Sequence, residues 1–344
     1  MSRLLEVKDL SVSFPTDAGV VRATQNLSFH LDRGETLAIV GESGSGKSVS
    51  SMAIMGLHNP GRTEISGEIN LNFGENNLEV VSAPEEKIRA IRGKNVAMIF
   101  QDPMSSLHPY YSIGNQLTES WLIHNGGNLD SKTAKAKAWE RAVEMLDLVG
   151  IPDAGRRVKE FPHQFSGGMR QRVMIALALI NGPDLLIADE PTTALDVTVQ
   201  AQILGLLKDM QKEFNMGVIL ITHDLGVVAE VSDRINVMYA GKLVEEGTVD
   251  DIFYRTSHPY TQGLLNSIPR VDSGVAEKLV AIPGQPPSLI ALPKGCAFSP
   301  RCEYVRQVSS HDCKVEIPDS IEVASGHSRK CFLKETYLPA GKGR

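Results

Sequence analysis

The chain contains 344 residues, of which 42% are hydrophobic and 22% are charged, a balance typical of a globular protein with a large buried core. Its formal net charge of −6 argues against the broad basic surface that binds nucleic acid, so we expect no nucleic-acid partner. No apolar run approaches the roughly 20 residues of a membrane-spanning helix, and we expect no secretory signal at the N-terminus. Any role at a membrane is therefore expected to depend on partners.

Two strands are predicted at the start of the chain. Residues 6–14 alternate between apolar and polar side chains, and a turn at 15–19 leads to a second strand that ends near Leu31. Phe14 lies at the end of the first strand. Its ring could stack on an adenine or face the core, and the sequence favours neither alternative.

Residues 41–48 fit the G-x-x-x-x-G-K-[ST] pattern of a phosphate-binding loop. An apolar run at 36–40 predicts a buried strand before the loop, and residues 49–56 predict the first turns of a helix after it. Because helix N-termini favour anions, this context supports a nucleotide site. Lys47 would reach the β- and γ-phosphates, and the Ser48 hydroxyl would hold Mg²⁺. The candidate nucleotide-binding residues here are Gly41, Ser43, Gly44, Ser45, Gly46, Lys47, Ser48 and Val49.

Three later apolar strands each lead to polar residues. Gln101 follows the strand at 96–100, Asp189 and Glu190 follow 185–188, and His223 follows 218–221. Strands that alternate with helices place the core in the α/β class, in which ligands bind at the carboxyl ends of the strands. Residues 235–239 and 242–246 predict a closing hairpin around Ala240-Gly241.

Cleavage of a γ-phosphate requires a held Mg²⁺ and an oriented water molecule. Asp189 is expected to be the second anchor of the metal, beside Ser48, and Glu190 the general base. Gln101 would complete the metal shell or position the water, and His223 would contact the γ-phosphate. We therefore predict Glu190, His223 and Gln101 as catalytic residues, and Ser48, Gln101 and Asp189 as magnesium ligands.

A helical insertion is predicted between Gln101 and Phe165. Residues 113–124 and 132–149 are helix-like, and Gly126-Gly127 separates them. The small residues Ser166, Gly167 and Gly168 then open an apolar helix, which makes a second anion-binding helix start. The chain thus has two phosphate-binding helix starts, whereas a single nucleotide site needs only one. We therefore predict a dimer, in which the loop of one subunit and the Ser-Gly-Gly turn of the other hold the same nucleotide.

All four cysteines, Cys296, Cys302, Cys313 and Cys331, lie close together near the C-terminus. Disulfides are not expected in a cytosolic protein, so the cluster suggests a metal site. The spacing C-x₅-C-x₁₀-C-x₁₇-C lacks the close pairs of zinc ribbons, which favours a [4Fe–4S] cluster over structural Zn²⁺. Free buried thiols remain a third alternative.

The motifs together resemble the ATP-binding-cassette (ABC) ATPase family over roughly residues 4 to 250. Residues 41–48 correspond to Walker A, Gln101 to the Q-loop and His223 to the switch histidine. Phe165-Ser-Gly-Gly-Met169 is similar to the signature motif LSGGQ, from which it departs at both ends. Residues 185–190 correspond to Walker B and Thr193-Ala-Leu-Asp196 to the D-loop. The resemblance implies an ATP-binding domain at 1–255, with a mixed sheet and a helical subdomain at about 102–165, and adds Asp196 to the nucleotide-contacting residues.

A narrower resemblance is to the ATPase subunits of bacterial dipeptide, oligopeptide and nickel importers. It rests on residues 100–109 and 258–265, and on the segments around the cysteines at 296–302 and 326–331. It implies a small C-terminal extension at 256–344, a [4Fe–4S] cluster on the four cysteines, and a peripheral position on the cytoplasmic face of the inner membrane. The implied partners are a second, often non-identical ATPase subunit, two transmembrane permeases that dock near 102–121, and indirectly an external peptide-binding protein.

Other kinds of ABC protein fit less well. Members that act on DNA commonly carry a long coiled-coil insertion, and members that act on the ribosome commonly carry two cassettes, whereas each motif occurs once here. Exporters commonly fuse a membrane domain to the cassette. The sequence thus favours an ATP-hydrolysing importer subunit over a non-transport ABC ATPase that acts on nucleic acid or the ribosome, and leaves the transported solute open.

Overall fold

The computed structural model describes residues 2–74, 76–101, 106–127, 129–193, 195–267, 281–308, 311–334 and 336–338. Several positions named in the sequence analysis lie outside the described residues. They are the first part of the predicted permease-docking stretch, residues 102–105, the D-loop position Ala194, and residues 268–280 and 339–344 of the predicted extension.

Strands and helices alternate from residue 167 to residue 239, and elsewhere two or more elements of one kind follow each other. In chain order the strands are β1 (Arg3–Thr16), β2 (Gly19–Asp32), β3 (Thr36–Val40), β4 (Glu64–Phe73), β5 (Asn76–Glu79), β6 (Val96–Ile99), β7 (Leu185–Asp189), β8 (Gly217–Thr222), β9 (Arg234–Tyr239), β10 (Lys242–Thr248), β11 (Ile321–Ala324) and β12 (His327–Arg329). The α-helices are α1 (Lys47–Ile54), α2 (Glu85–Ile91), α3 (Ile113–Asn125), α4 (Ser131–Leu148), α5 (Ala154–Arg157), α6 (Gly167–Leu179), α7 (Val197–Phe214), α8 (Leu225–Val231), α9 (Val249–Tyr254) and α10 (Pro259–Asn266).

Two sheets form the centre of the molecule. The smaller sheet is antiparallel, with strand order β2-β1-β4-β5. The larger sheet has the order β11-β12-β10-β9-β3-β8-β7-β6, and its strands from β9 to β6 are parallel. Every residue of β3, β7 and β8 is buried, as expected for the central strands of a parallel sheet that is covered on both faces. The prediction of an α/β fold with a mixed sheet is confirmed.

Two apolar layers cover the larger sheet. One core lies between the two sheets and α1, and includes Leu37, Ile54 and Ile187. The other joins helices α3, α4, α6 and α7 to the sheet, and includes Met145 and Ile175. Helices α3 and α4 correspond to the two helices predicted at 113–124 and 132–149. The insertion therefore packs as a helical layer against α6, which in turn contacts the edge strand β6.

The C-terminal residues extend the larger sheet. Strand β12 pairs antiparallel with β10, and places Arg329 opposite Glu245 and Ser328 opposite Glu246. Sequence analysis missed this strand, β11 and the short strand β5, because each has four residues or fewer and no clear alternation. The boundary at residue 255 stays a prediction. Within the described ranges, every helix is too short or too polar to cross a membrane.

Candidate functional site

The phosphate loop connects β3 to α1, and two of its glycines are required by close packing. Gly41 has φ +154°, and a Cβ there would lie 2.2 Å from the carbonyl oxygen of Met238. Gly46 has φ +100°, and a Cβ there would lie 2.3 Å from the carbonyl oxygen of Ala23. Both carbonyls belong to neighbouring strands, so a side chain at either position would push the loop off the sheet. The loop is thereby held close to the sheet, with the N-terminus of α1 directly after it.

Lys47 begins α1 and is buried at the base of the loop. Its ammonium donates hydrogen bonds to the carbonyl oxygens of Gly41 at 2.8 Å and Glu42 at 3.1 Å. Burial lowers the pKa of Lys47, while the nearby carboxylates of Glu190 and Asp189 act in the opposite direction. The N–H groups of the first helical turn have no partners within the helix. The ammonium of Lys47 and these N–H groups can together bind the oxygens of an incoming phosphate.

Asp189 and Ser48 have the properties of a magnesium site. Asp189 ends β7 and is buried, and burial raises the pKa of its carboxyl group although a hydrogen bond with Ser48 lowers it. Its Oδ1 atom is buried without a hydrogen-bond partner among the described residues. Mg²⁺ in nucleotide sites is commonly held by oxygen ligands that include one or two carboxylates. An orphaned carboxylate oxygen beside a hydroxyl therefore fits this metal.

Three polar side chains contact the carboxylate of Glu190. Its carboxylate accepts hydrogen bonds from Gln101 Nε2 at 2.8 Å and from Thr193 Oγ1 at 2.9 Å, and His223 Nδ1 lies 3.3 Å from Oε1. The backbone of Glu190 has φ +47°, and its N–H donates to the carbonyl of Ile221 at 2.8 Å. A non-glycine residue in this region is strained, a feature common at functional sites. The predicted catalytic residues Gln101, Glu190 and His223 are thus brought together.

The environment of Glu190 keeps its side chain ionised. Burial would raise the pKa of this carboxyl group, but hydrogen bonds from Thr193, His223 and Gln101 outweigh it and hold the pKa below its ordinary value. A carboxylate of this kind can orient a water molecule. Sequence analysis gave no role to the Thr193 hydroxyl. The spacing of Thr193 from Glu190 could have indicated this contact, because side chains three residues apart in a turn can form a hydrogen bond.

The Ser-Gly-Gly turn is exposed at the start of α6. Ser166 caps the helix by accepting a hydrogen bond from the N–H of Met169 at 3.3 Å. Gly167 is exposed, and a Cβ there would meet no other atom of the described residues within 4 Å. Gly168 packs against α7, where a Cβ would lie 2.9 Å from Val199. The start of the turn, at Ser166 and Gly167, therefore lies at the surface of the described chain, with open space beside Gly167.

Three other predicted nucleotide-binding residues have contacts of a structural kind. Phe14 is half-buried, and its ring meets the edge of the His58 ring with centroids 5.6 Å apart. The carbonyl of Val49 lies 2.9 Å from His58 Nε2. Asp196 caps α7 by accepting a hydrogen bond from the N–H of Val199 at 3.0 Å. Their roles in nucleotide binding stay predictions.

The four cysteines line one cavity, together with side chains that include His258 and Phe298. The N–H of Cys296 donates to the carbonyl of Cys313 at 2.9 Å, which joins two distant parts of the segment. Burial raises the pKa of Cys296 to about 11 and that of Cys302 to about 12, and the neighbouring thiols add to both shifts. No disulfide links them, and no group of three metal-binding side chains converges on one point in the described part of the chain.

A phosphate loop and an acidic pair at the carboxyl ends of one parallel sheet define a P-loop ATPase. The chain matches the family model for the ABC transporter over residues 24–193, and the model for the oligopeptide/dipeptide transporter, C-terminal region, over residues 244–308. The chain therefore belongs to the ABC transporter family, whose ATP-binding subunits hydrolyse ATP.

Similar proteins cover nearly the whole chain. The oligopeptide transport ATP-binding protein OppD of Bacillus subtilis (strain 168) is 54% identical over 98% of this chain and 91% of its own length. OppD of Salmonella typhimurium is 50% identical over 96% of this chain and 93% of its own length. The dipeptide transport ATP-binding protein DppD of Bacillus subtilis is 50% identical over 97% of this chain and 96% of its own length.

Solved cassettes share the fold. The ATP-binding cassette MJ0796, in a dimeric post-hydrolysis state bound to ADP and Pi, has a TM-score of 0.61 and 26% identity, and covers 72% of this chain and 99% of its own. The structure of cbiO1 from Clostridium perfringens, part of the ABC transporter complex cbiONQ, has a TM-score of 0.59 and 26% identity, and covers 74% of this chain and 91% of its own.

Proposed function

We propose that this chain is the ATP-hydrolysing subunit of a binding-protein-dependent importer of dipeptides or oligopeptides. The observation that carries the proposal is the extent of the similarity. Relatives named for oligopeptide and dipeptide transport align over nearly the whole chain, and the C-terminal match at 244–308 lies outside the ABC transporter match at 24–193. A match confined to the first of these regions would support only a generic ATPase.

In the proposed mechanism, Lys47 exchanges its bonds to the loop carbonyls for phosphate oxygens as ATP enters. Ser48 and Asp189 would hold Mg²⁺, which neutralises charge on the phosphates when it is bound. Glu190 then orients the attacking water and accepts its proton. The observed contacts support this division of roles, because Gln101 and His223 meet the carboxylate of Glu190. Gln101 as a metal ligand, and His223 as a γ-phosphate contact, are further parts of the proposal.

The active form is proposed to be a dimer of cassettes, with a non-identical ATPase subunit as the second member. The exposed Ser166 turn would contact the γ-phosphate held by the partner's loop. Two observations support this: a Cβ placed on Gly167 would meet no other described atom within 4 Å, and the similar cassette MJ0796 was solved as a dimer with ADP and Pi. Asp196 caps α7 and lies near this turn, because the first turn of α7 packs against Gly168 through Val199.

Two transmembrane permeases are proposed to dock at an apolar groove beside Gln101. Met98, Phe100 and Leu177 line this groove, between the edge strand β6 and helix α6. Phe100 is 44% exposed, and Tyr110 in the proposed docking stretch is 83% exposed. Because Gln101 follows the groove directly and bonds to Glu190, a permease helix seated there would be connected to the hydrolytic site. This contact would hold the subunit at the cytoplasmic face of the inner membrane.

The cysteine cavity is proposed to hold a [4Fe–4S] cluster, with Zn²⁺ as the alternative. The four thiols line one cavity and would supply the donors for either, once metal binding removes their protons and draws their sulfur atoms to one point. Anaerobic expression with added iron should give brown protein with four iron atoms per chain, since a [4Fe–4S] cluster contains four. Zinc without iron in elemental analysis would favour the alternative, and the absence of both would refute a metal site.

The transport role is tested by isolating the full chain from detergent-solubilised membranes. We expect two polytopic permeases and a related ATPase to copurify, and addition of a peptide-loaded binding protein should stimulate ATP hydrolysis. The Phe100→Asp variant should lose the permeases and keep nucleotide binding, because it places a charge in the apolar groove. Copurification of ribosomal proteins or nucleic acid in place of permeases would contradict the proposal.

A further inference from the structure

The phosphate loop contains a carboxylate at a position that its pattern leaves free. Glu42 lies between Gly41 and Ser43, and its side chain is 28% exposed. A triphosphate carries several negative charges, so an uncompensated carboxylate in the loop would repel it. The charge of Glu42 must therefore be balanced from elsewhere in the fold.

Arg301 supplies that balance from the C-terminal part of the chain. Its Nη1 lies 2.7 Å from Glu42 Oε2 and its Nη2 lies 3.0 Å from Oε1, the two parallel bonds of a bidentate pair. The side chain of Arg301 is only 5% exposed. Its Nε donates to the carbonyl of Pro283 at 2.9 Å, which fixes the plane of the guanidinium group. An ion pair with this geometry and burial is well ordered, unlike a typical surface pair.

The backbone of Glu42 is held by the same part of the chain. Its N–H donates to the hydroxyl of Tyr260 at 2.8 Å, and Tyr260 is fully buried. The rings of Tyr260, Tyr239 and Phe298 pack against one another, with centroid distances of 4.6 Å between the two tyrosines and of 5.4 Å and 5.2 Å from these to Phe298. Residues beyond 255 thus hold both the backbone and the side chain of one loop residue, from one aromatic cluster.

We propose that Arg301 is a positioning residue of the nucleotide site, which neutralises Glu42 and keeps the phosphate loop in its binding conformation. The proposal rests on the assignment of residues 41–48 as the ATP site. Arg301 belongs to the short turn between Cys296 and Cys302, where the N–H of Ser299 donates to the carbonyl of Cys296 at 3.0 Å. Because one turn carries two cysteines and the arginine, order in the cysteine cavity also favours order in the phosphate loop.

A double-mutant cycle on the full-length chain tests whether the charge of Arg301 acts on Glu42. Arg301→Gln leaves a partly buried carboxylate unpaired in the loop, and we expect the Kd and KM for Mg-ATP to rise about tenfold with kcat changed less than about twofold. Glu42→Gln should raise the Kd less than about threefold, since a neutral side chain repels no phosphate. The double variant Glu42→Gln/Arg301→Gln should recover most of the affinity that Arg301→Gln loses.

Arg234→Gln is the matched control, because it breaks another partly buried ion pair, with Glu35 at 2.9 Å, away from the loop. It should leave the Kd for Mg-ATP unchanged. Unchanged affinity in Arg301→Gln, or a double variant as weak as Arg301→Gln, would overturn the proposal. If Arg301→Gln fails to fold, the double variant decides, since its affinity should be close to that of Glu42→Gln. Failure of the ATP site itself would be seen separately, as a wild-type chain that binds no Mg-ATP or a Lys47→Ala variant that binds it normally.

Discussion

The N-termini of α1 and α6 are built from similar small residues, yet their surroundings differ. At α1 the chain wraps the helix start closely, so that Gly41 and Gly46 touch neighbouring strands and Lys47 is buried. At α6 the residues Ser166 and Gly167 are exposed, and the space beside Gly167 is open within the described structure. Both helix starts can bind an anion, but the first is completed by its own chain. The exposed start of α6 would need contacts from another chain to enclose an anion.

The groups that perform chemistry follow the same division. Lys47, Asp189 and Glu190 lie near the enclosed helix start, whereas the only polar side chain of residues 166–168 is the hydroxyl of Ser166. One chain therefore contains the residues proposed to hydrolyse ATP and, separately, the exposed Ser-Gly-Gly turn. A second cassette supplies the missing contact in the proposed dimer. Substitutions at the enclosed helix start and at the exposed turn should therefore have separable effects on ATP hydrolysis.

The largest effect is expected from Glu190→Gln. The amide cannot accept the proton of the attacking water, so kcat for ATP hydrolysis should fall by about 10² to 10⁴, while the affinity for Mg-ATP stays within about threefold. Single-turnover hydrolysis and equilibrium ATP binding measure the two quantities. Glu213→Gln, a change on the exposed face of α7, is the control and should be silent. Full activity in Glu190→Gln would remove Glu190 from the role of general base.

A smaller effect is expected from Gly167→Asp, which acts on the exposed half-site. The new side chain has room, and an acidic residue in the first turn of a helix is tolerated or favourable in the free chain. In the dimer its charge would oppose the γ-phosphate, so ATP hydrolysis should fall by about 10- to 100-fold. ATP binding by the single chain should not change.

Gly155→Asp is the matched control for this variant. Gly155 is exposed in α5, a Cβ there also meets no other described atom within 4 Å, and the change in charge is the same. Hydrolysis should be normal in this control. If Gly167→Asp were equally normal, the Ser-Gly-Gly turn would have no part in the nucleotide site.

The smallest effect is expected from Thr193→Val, which changes the surroundings of Glu190 within the enclosed half. The Thr193 hydrogen bond lowers the pKa of Glu190, so its loss should raise that pKa. Hydrolysis needs the ionised carboxylate, and the acidic limb of the pH–rate profile should therefore move to higher pH, with a fall of about three- to tenfold near its midpoint. Thr193→Ser keeps the hydroxyl and should restore the profile. An acidic limb that stays in place in Thr193→Val would show that this bond does not tune Glu190.

Sequence analysis found the parts of the site that are encoded within short stretches. Residues 41–48 form one contiguous pattern, and Gln101, Asp189 and His223 each follow an apolar run whose end in the sheet is fixed by the α/β architecture. The convergence of Gln101 and His223 on Glu190 depends on side-chain geometry, which no spacing reveals. The pair of Glu42 with Arg301 could not be predicted from spacing either, since these residues lie far apart in the chain.

The C-terminal region was less predictable for a related reason. Its strands β11 and β12 are short and pair with β10 only through tertiary contacts, so their local pattern is weak. The cysteines were visible as a group, and the structure places them around one cavity. Their spacing lacks the close pairs that would identify a metal, because Cys313 and Cys331 come from parts of the chain separate from the turn at 296–302. Tertiary contacts join these parts, such as the backbone bond between Cys296 and Cys313.

We propose that the exposed turn of one cassette completes the enclosed site of another. Mixing two inactive variants tests this arrangement. At high concentration of the isolated chain, a second copy takes the place of the non-identical partner. Lys47→Ala disables the phosphate loop and Gly167→Asp disables the turn, so self-dimers of either variant contain no intact site. A mixed dimer joins the intact loop of one chain to the intact turn of the other. The account predicts that the mixture hydrolyses ATP faster than the sum of the separate variants. A mixture no more active than that sum would contradict it.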